Sequence, residues 1–243
     1  MNDFRYYRPN NFPPIVKNLM IINALVFLAQ VSLSQFKITE WIQLYPMMPE
    51  QLRAILAQSP NIPYYPQGFK FEPYQIATHM FSHGSFMHIL FNMFGLWMFG
   101  KILENAWGPK RFLLFYLVCG VGAALCHLAI QYFRCEQLLQ AVLAGSSTDR
   151  YIGAIAPAVG ASGAIMGIFV AFGYLFPNTE LFLMFIPIPI KAKWAVIGFI
   201  AFDLFSGVTG RGDNIAHFAH LGGALTGFIL VLIWNKTGTK RFY

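Results

Sequence analysis

Long apolar runs alternate with short polar segments along the chain, and this pattern predicts six membrane-spanning helices. Each run approaches the roughly 20 residues that an α-helix needs to cross the hydrocarbon core of a bilayer. The runs cover about residues 17–33, 80–99, 112–133, 160–176, 188 or 192–205, and 215–234. The sequence therefore predicts an all-α membrane protein, organised as a single transmembrane domain over residues 1–243.

Two connections differ from the short polar segments. Residues 35–78 are long, proline-rich and aromatic, which favours a structured loop lying in the interface on the outer side of the membrane. Residues 152–159 are apolar but contain Gly153 and Pro157, so a regular helix is not expected there. Irregular backbone at membrane depth must be buried in protein or face a cavity. We expect this second segment to descend into the bundle, so that the fourth helix begins below the membrane surface.

The composition and charge fit this picture. Hydrophobic residues make up 56% of the chain and charged residues 11%, and the mean hydropathy is +0.52. The net charge is +7, but the basic residues are scattered between apolar runs, which argues against nucleic acid and for the lipid bilayer as partner. Six spans place both termini on one side, and the positive-inside rule predicts that this side is the cytoplasm. It collects eleven of the 17 basic residues: Arg5, Arg8, Lys17, Lys101, Lys110, Arg111, Lys191, Lys193, Lys236, Lys240 and Arg241.

One serine lies among small residues at the start of the fourth run, in Gly160-Ala161-Ser162-Gly163. Small residues let membrane helices approach closely, so packing alone could account for this serine. The last run carries His220 three and seven residues before Gly223 and Gly227, hence on the same helix face. Gly163 and Gly167 form a matching pair of small residues on the fourth run. Close packing of these two helices would bring the imidazole to the hydroxyl.

A serine in contact with an imidazole is a nucleophile with its general base. The helix start at Ser162 adds free backbone N–H groups where an oxyanion would develop. His88 and Asn92 are four residues apart on the second span, and both side chains can donate hydrogen bonds, so they are candidates for the oxyanion site. His83 either supports the outer loop, holds a water or is an ordinary interfacial histidine. Gly160 and Gly163 are expected to support the site by allowing close approach.

These motifs together resemble the rhomboid family of intramembrane serine proteases. The resemblance rests on the run 160–163, on Ala219-His220-x-x-Gly223-x-x-x-Gly227 and on His83-x-x-x-x-His88-x-x-x-Asn92, in order and on the expected spans. It implies a six-helix rhomboid fold and a dyad of Ser162 and His220 without a catalytic acid. It also implies oxyanion contacts from the Ser162 N–H, His88 and Asn92, and cleavage of transmembrane protein substrates near small residues. Glu104 looks like the structural acid of the family.

Two other functions stay open on the sequence. A catalytically inactive relative could bind or escort membrane proteins, although such proteins generally lack the serine or the histidine. A metal transporter could use His83, His88, His217 and His220, but no carboxylate or thiolate is expected to join them. We therefore expect neither a metal nor another cofactor.

Two further expectations concern the fifth span and the compartment. Asp203 is an ionisable residue in that span, and we assign it a structural role because the sequence shows no basic partner. His217 is expected to be peripheral. The size of the chain and its lack of an organelle-targeting extension suggest a bacterial inner membrane.

Overall fold

The computed structural model describes residues 9–58, 68–149, 151–183, 186–209 and 214–237. Four of the basic residues used for the orientation, Arg5, Arg8, Lys240 and Arg241, lie outside this part of the chain. A two-stranded antiparallel sheet lies between the fourth and fifth spans, and a π turn at Leu96–Gly100 lies within the second span. The elements are α1 (Pro14–Ser32), α2 (Ile38–Ile42), α3 (Glu50–Ala57), α4 (Gln75–Thr78), α5 (Phe86–Gly95), α6 (Lys101–Trp107), α7 (Pro109–Leu143), α8 (Ser162–Leu175), β1 (Glu180–Leu183), β2 (Ile186–Lys191), α9 (Ala192–Thr209) and α10 (Asn214–Thr237).

The predicted bundle of membrane helices is confirmed. Among the described residues, five helical segments are long and apolar enough to cross a membrane: Pro14–Ser32, Phe86–Trp107, Pro109–Leu143, Ala192–Thr209 and His217–Lys236. The remaining predicted span, α8, has 14 residues and is therefore about 21 Å long. Its side chains are almost all buried by the surrounding helices. The shortest span thus forms the centre of the bundle.

The second span begins later than the pattern predicted. Its first helical residue is Phe86 instead of residue 80, because the Ser85 hydroxyl accepts a hydrogen bond from the His88 N–H and caps α5. His83 consequently lies in the loop before the helix and not on it.

The third span is longer than the pattern predicted, and the fifth begins at Ala192, the later of its two predicted starts. Helix α7 continues without a break to Leu143, ten residues beyond the predicted end of the third span at residue 133. Before the fifth span, the strands Glu180–Leu183 and Ile186–Lys191 pair in antiparallel fashion, with Leu181 opposite Ile190. Pro187 and Pro189 lack the N–H that a helix interior needs, which is why the apolar pattern does not continue as helix there.

Small residues hold α8 against α10 at backbone distance. A methyl group added at Gly227 would lie 2.6 Å from the Gly167 Cα, and one added at Gly223 would overlap the Gly163 carbonyl. The contact between glycine ridges that the sequence suggested is therefore present. A third helix, α7, joins this contact through Cys119, against which a methyl group at Gly167 would also collide; the glycine spacing alone did not indicate it.

The first loop is the connection at residues 35–78, and its described part packs on the C-terminal half of α7. Leu52 and Leu56 of α3 are buried in one apolar cluster with Cys135 and Leu138 of α7 and with Ile155. Helix α7 has 35 residues, about 52 Å, and is longer than the roughly 30 Å of a hydrocarbon core. The excess length supplies the surface on which the loop packs.

A buried carboxylate fixes the start of α1. Glu104 of α6 is 2% exposed and accepts hydrogen bonds from the Ile15 N–H at 2.9 Å and the Val16 N–H at 2.8 Å. The first N–H groups of a helix have no intrahelical acceptor, and they form the positive end of the helix dipole. Glu104 therefore joins the first and second spans.

We expect Glu104→Ala to lower the free energy of unfolding by roughly 2–4 kcal/mol, because two buried backbone donors lose their charged acceptor. Unfolding in detergent, followed by helical circular dichroism, measures the change. Glu50→Ala is the matched control, since Glu50 is exposed and its 3.5 Å pair with Arg53 is worth at most about 1 kcal/mol. Equal effects of the two variants would contradict the role of Glu104.

Candidate active site

Ser162 and His220 meet where the N-terminus of α8 faces α10. The His220 Nε2 atom lies 2.9 Å from the Ser162 Oγ atom, which is hydrogen-bond distance. Both residues are half-buried. Gly163 follows Ser162 directly, and Gly223 lies one turn after His220. The close packing of these two glycines makes the approach of the serine and the histidine possible.

The segment before α8 descends along α7 in an irregular conformation. It begins with a 3₁₀ turn at Ile152–Ile155. The Ala156 carbonyl then accepts a hydrogen bond from the Gln131 Nε2 of α7 at 2.8 Å. Ala158 and Leu44 of the first loop exchange two backbone hydrogen bonds of 2.8 Å. These partners satisfy the non-helical backbone, which is the condition for such a segment to enter the bundle.

Donor groups of α5 converge beside Gly160. This glycine has φ of +120°, a conformation that L side chains rarely adopt, and its N–H donates to the His79 carbonyl at 2.9 Å. A methyl group on it would lie 2.7 Å from the His88 Nε2 and 3.6 Å from the Asn92 Nδ2. The Asn92 Nδ2 is buried and has no hydrogen-bond partner among the described residues. Both side chains therefore lie against Gly160, two residues before Ser162, and Asn92 offers a donor that has no partner among the described residues.

His83 packs against His88 in the loop before α5. The centroids of the two rings are 5.0 Å apart. The His83 N–H donates to the Gln30 Oε1 of α1 at 3.1 Å, and Gln30 also donates to the Ser82 hydroxyl at 2.9 Å. Burial, followed by the charge of the neighbouring His88, lowers the pKa of His83 to about 4, so its ring is neutral at neutral pH. The first span thus fixes the backbone of the loop in which the His83 ring packs against His88.

The surroundings of Asp203 differ from the expectation. This carboxylate of α9 is 2% exposed, its Oδ1 lies 2.7 Å from the His217 Nδ1, and its Oδ2 lies 3.2 Å from the His220 Nδ1. The assumption that Asp203 has no partner was therefore wrong, and so was the peripheral place given to His217. The contacts join two helices at separations of 14 and 17 residues, which produce no periodic signal in the sequence.

Asp203, His217 and His220 also form a candidate metal site. Potential ligand atoms of Asp203, His217 and His220 all lie within 4.8 Å of one another. A carboxylate thus joins two of the four candidate histidines, His217 and His220, contrary to the expectation from the sequence. A combination of two imidazoles and one carboxylate is a known type of transition-metal site.

Comparison with known proteins identifies the family. The family model described as Rhomboid domain matches residues 70–236, more than half of the chain. The chain is 30% identical to Rhomboid protein 1, mitochondrial, of Saccharomyces cerevisiae over 166 residues, which are 68% of this chain and 43% of the relative. It is 31% identical to RHOMBOID-like protein 12, mitochondrial, of Arabidopsis thaliana over 173 residues, 69% of this chain and 47% of the relative. It is 34% identical to the human Presenilin-associated rhomboid-like protein, mitochondrial, over 162 residues, 64% of this chain and 38% of the relative.

These matches span less than half the length of each relative. All three relatives are named as mitochondrial proteins, so they give no support to the expected bacterial inner membrane. The apolar helices establish an integral membrane protein that crosses the bilayer several times. With the domain match and the helical bundle, this chain belongs to the rhomboid family.

Proposed function

We propose that this protein is an intramembrane serine endopeptidase that hydrolyses peptide bonds in or near the transmembrane segments of membrane proteins. The observation that carries the proposal is the 2.9 Å distance between the Ser162 Oγ and the His220 Nε2. In a general-base mechanism the two groups must be within about 2.6–3.2 Å. Membership of the family supports the class of reaction.

The proposed reaction has two steps. The Ser162 Oγ attacks the scissile carbonyl carbon while its proton moves to the His220 Nε2; the C–N bond then breaks, and the same proton passes to the leaving amine. A water molecule attacks the resulting acyl-enzyme in the second step, again giving its proton to His220, which returns it to Ser162. Because the imidazole is regenerated in each step, no other proton carrier is needed.

The negative charge that develops on the carbonyl oxygen is assigned to three donors. The Ser162 N–H belongs to the first turn of α8, where N–H groups have no intrahelical acceptor and the helix dipole is positive. The Asn92 Nδ2 is buried without an acceptor among the described residues, and the His88 Nε2 lies beside it near Gly160. Donors held in place before reaction stabilise an oxyanion without reorganisation.

We further propose that substrates reach the site from the lipid phase, with both termini of the enzyme on the cytoplasmic side of its membrane. Exposed aromatic side chains cover the outer faces of α5 and α9, including Phe91 and Phe202. An apolar substrate helix can pack on such a surface without leaving the bilayer. The orientation follows from the distribution of basic residues and is tested with reporter fusions at the two termini.

Metal binding is the second candidate, favoured by the cluster of Asp203, His217 and His220. It ranks lower because both carboxylate oxygens already lie at hydrogen-bond distance from the two imidazoles. Cleavage that a chelator abolishes and Zn²⁺ restores would favour this alternative over the serine mechanism.

A fluorophosphonate probe tests the proposal directly, because it forms a covalent bond only with an activated serine. We expect labelling of the wild-type protein in detergent and none of Ser162→Ala, with mass spectrometry placing the adduct on Ser162. Failure to label the wild type, together with failure to cleave a panel of transmembrane substrates, would favour the inactive membrane-protein binder.

Asn92→Ala is expected to lower kcat by about 10²–10³-fold with a small effect on KM, because an oxyanion donor acts in the transition state. Cleavage of a purified transmembrane substrate in liposomes gives both constants. Asn178→Ala, at an exposed position after α8, is the matched control and should cleave as the wild type does. A change confined to KM would assign Asn92 to substrate binding instead.

A further inference from the structure

The carboxylate of Asp203 is enclosed at membrane depth and is bound to the histidine of the candidate dyad. It lies in the second half of α9, is 2% exposed, and has apolar neighbours on both sides in the sequence. A buried carboxylate is costly unless it is paired or hydrogen-bonded, so such a residue within a span needs a reason. Its partners here are two imidazoles of α10.

Hydrogen-bond chemistry fixes the protons in this group. An ionised carboxylate can only accept, so each of its contacts requires a proton on the facing Nδ1 atom. In a neutral His220 ring, the Nδ1 atom then carries the proton and the Nε2 atom has a free lone pair. That lone pair faces the Ser162 Oγ at 2.9 Å, where a general base must have one.

We propose that Asp203 is a positioning residue that holds His220 in the tautomer and orientation required of the general base. The site then consists of three connected residues: Ser162, His220 and Asp203. The proposal rests on the proposed function and goes beyond the two-residue dyad that the family resemblance implies. When His220 takes the serine proton it becomes a cation, and the carboxylate 3.2 Å from its Nδ1 stabilises that charge.

His217 completes the arrangement by fixing the carboxylate. It lies one turn before His220 on α10, and its Nδ1 contacts the other oxygen of Asp203 at 2.7 Å. With both oxygens held, the carboxylate cannot rotate away from His220. The two contacts also join α9 to α10, so a merely structural role of Asp203 is the alternative to be excluded.

The first measurement is the kinetics of Asp203→Asn. Asparagine keeps the size of the side chain but can donate to Nδ1, which forces the proton onto Nε2 and removes the base. We expect kcat to fall by about 10²–10⁴-fold with KM changed less than about threefold and the unfolding midpoint close to that of the wild type. Asp149→Asn, at the exposed Asp149 whose carboxylate accepts from the Ser147 hydroxyl, is the matched control and should retain wild-type kinetics.

The second measurement does not depend on enzymatic activity. In protein labelled with ¹⁵N-histidine, the two ring nitrogens of His220 report which one carries the proton, and His220→Gln assigns the signals. We expect the Nδ1–H form in the wild type and in Ser162→Ala, and its loss in Asp203→Asn.

The outcomes separate this proposal from the proposed function. A wild type that cleaves, combined with an Asp203→Asn variant whose kcat is within about threefold of it, overturns the positioning role alone. The Nε2–H form of His220 in the wild type also overturns it, whether or not Asp203→Asn folds. A wild type with the Nδ1–H form but no cleavage and no probe labelling overturns the proposed function while the hydrogen bond to Asp203 stands.

Discussion

Ser162→Ala and His220→Ala should each reduce cleavage of a transmembrane substrate by about 10⁵–10⁶-fold while the protein remains folded. The estimate follows from serine proteases in which removal of the nucleophile or of its base abolishes nearly all catalysis beyond binding and oxyanion stabilisation. Both side chains are half-buried, and neither belongs to the apolar core. In His220→Ala the buried Asp203 carboxylate keeps its contact with His217, so α9 and α10 remain joined. Purified enzyme and substrate in liposomes, with products resolved by mass spectrometry, provide the measurement.

The double variant gives a stricter test of the pair. Residues that act as one unit are not additive, so Ser162→Ala with His220→Ala should be no less active than either single variant. Ser147→Ala is the control for loss of a serine hydroxyl outside the site, because Ser147 is exposed and bonds only its neighbour Asp149 in the described structure. Cleavage by Ser162→Ala within about tenfold of the wild type would remove Ser162 as the nucleophile.

The sequence predicted the spans and the pair at the centre of the site for clear physical reasons. Apolar runs long enough to cross a bilayer are a strong sequence signal for membrane-spanning helices. The glycine spacing at Gly163, Gly167, Gly223 and Gly227 indicated which helix faces meet, and the structure shows those faces in contact. Local interruptions by Gly153 and Pro157 were likewise enough to predict that residues before α8 are not regular helix.

The surroundings of Asp203 could not be predicted in the same way. Its contacts with His217 and His220 cross from α9 to α10, and no repeat of 3.6 residues links positions on different helices. The only signal in the sequence was an ionisable residue inside an apolar span. Such a residue indicates a function but does not identify its partner. The start of α5 was missed for a local reason: the Ser85 cap outweighs the apolar residues before it.

Packing and chemistry depend on the same residues at this site. The glycines that let α8 approach α10 are also what brings the Ser162 hydroxyl to the His220 ring. A serine among small residues is therefore compatible with both a packing role and a catalytic one. A variant that separates the two helices without touching either polar side chain distinguishes these contributions.

Gly223→Ala is that variant. The added methyl group would overlap the Gly163 carbonyl oxygen and lie 2.7 Å from its carbonyl carbon, and these are backbone atoms that cannot rotate away. The helices must then separate by on the order of 1 Å, which costs about 1–3 kcal/mol of stability when a packed core is overfilled. Because Gly223 lies one turn after His220, we expect the same shift to lower kcat/KM by about 10²-fold.

Gly198→Ala is the matched control for this substitution. Gly198 lies on α9, is exposed, and a methyl group there would meet no atom within 4 Å. Replacing glycine by alanine within a helix should stabilise it by up to about 1 kcal/mol, so the control should unfold no earlier than the wild type and cleave equally well. If Gly223→Ala matched the control in both unfolding temperature and kcat/KM, close contact between α8 and α10 would not be what holds His220 against Ser162. A loss of activity in Gly223→Ala that exceeds its loss of stability would show instead that catalysis depends on the distance between the two helices.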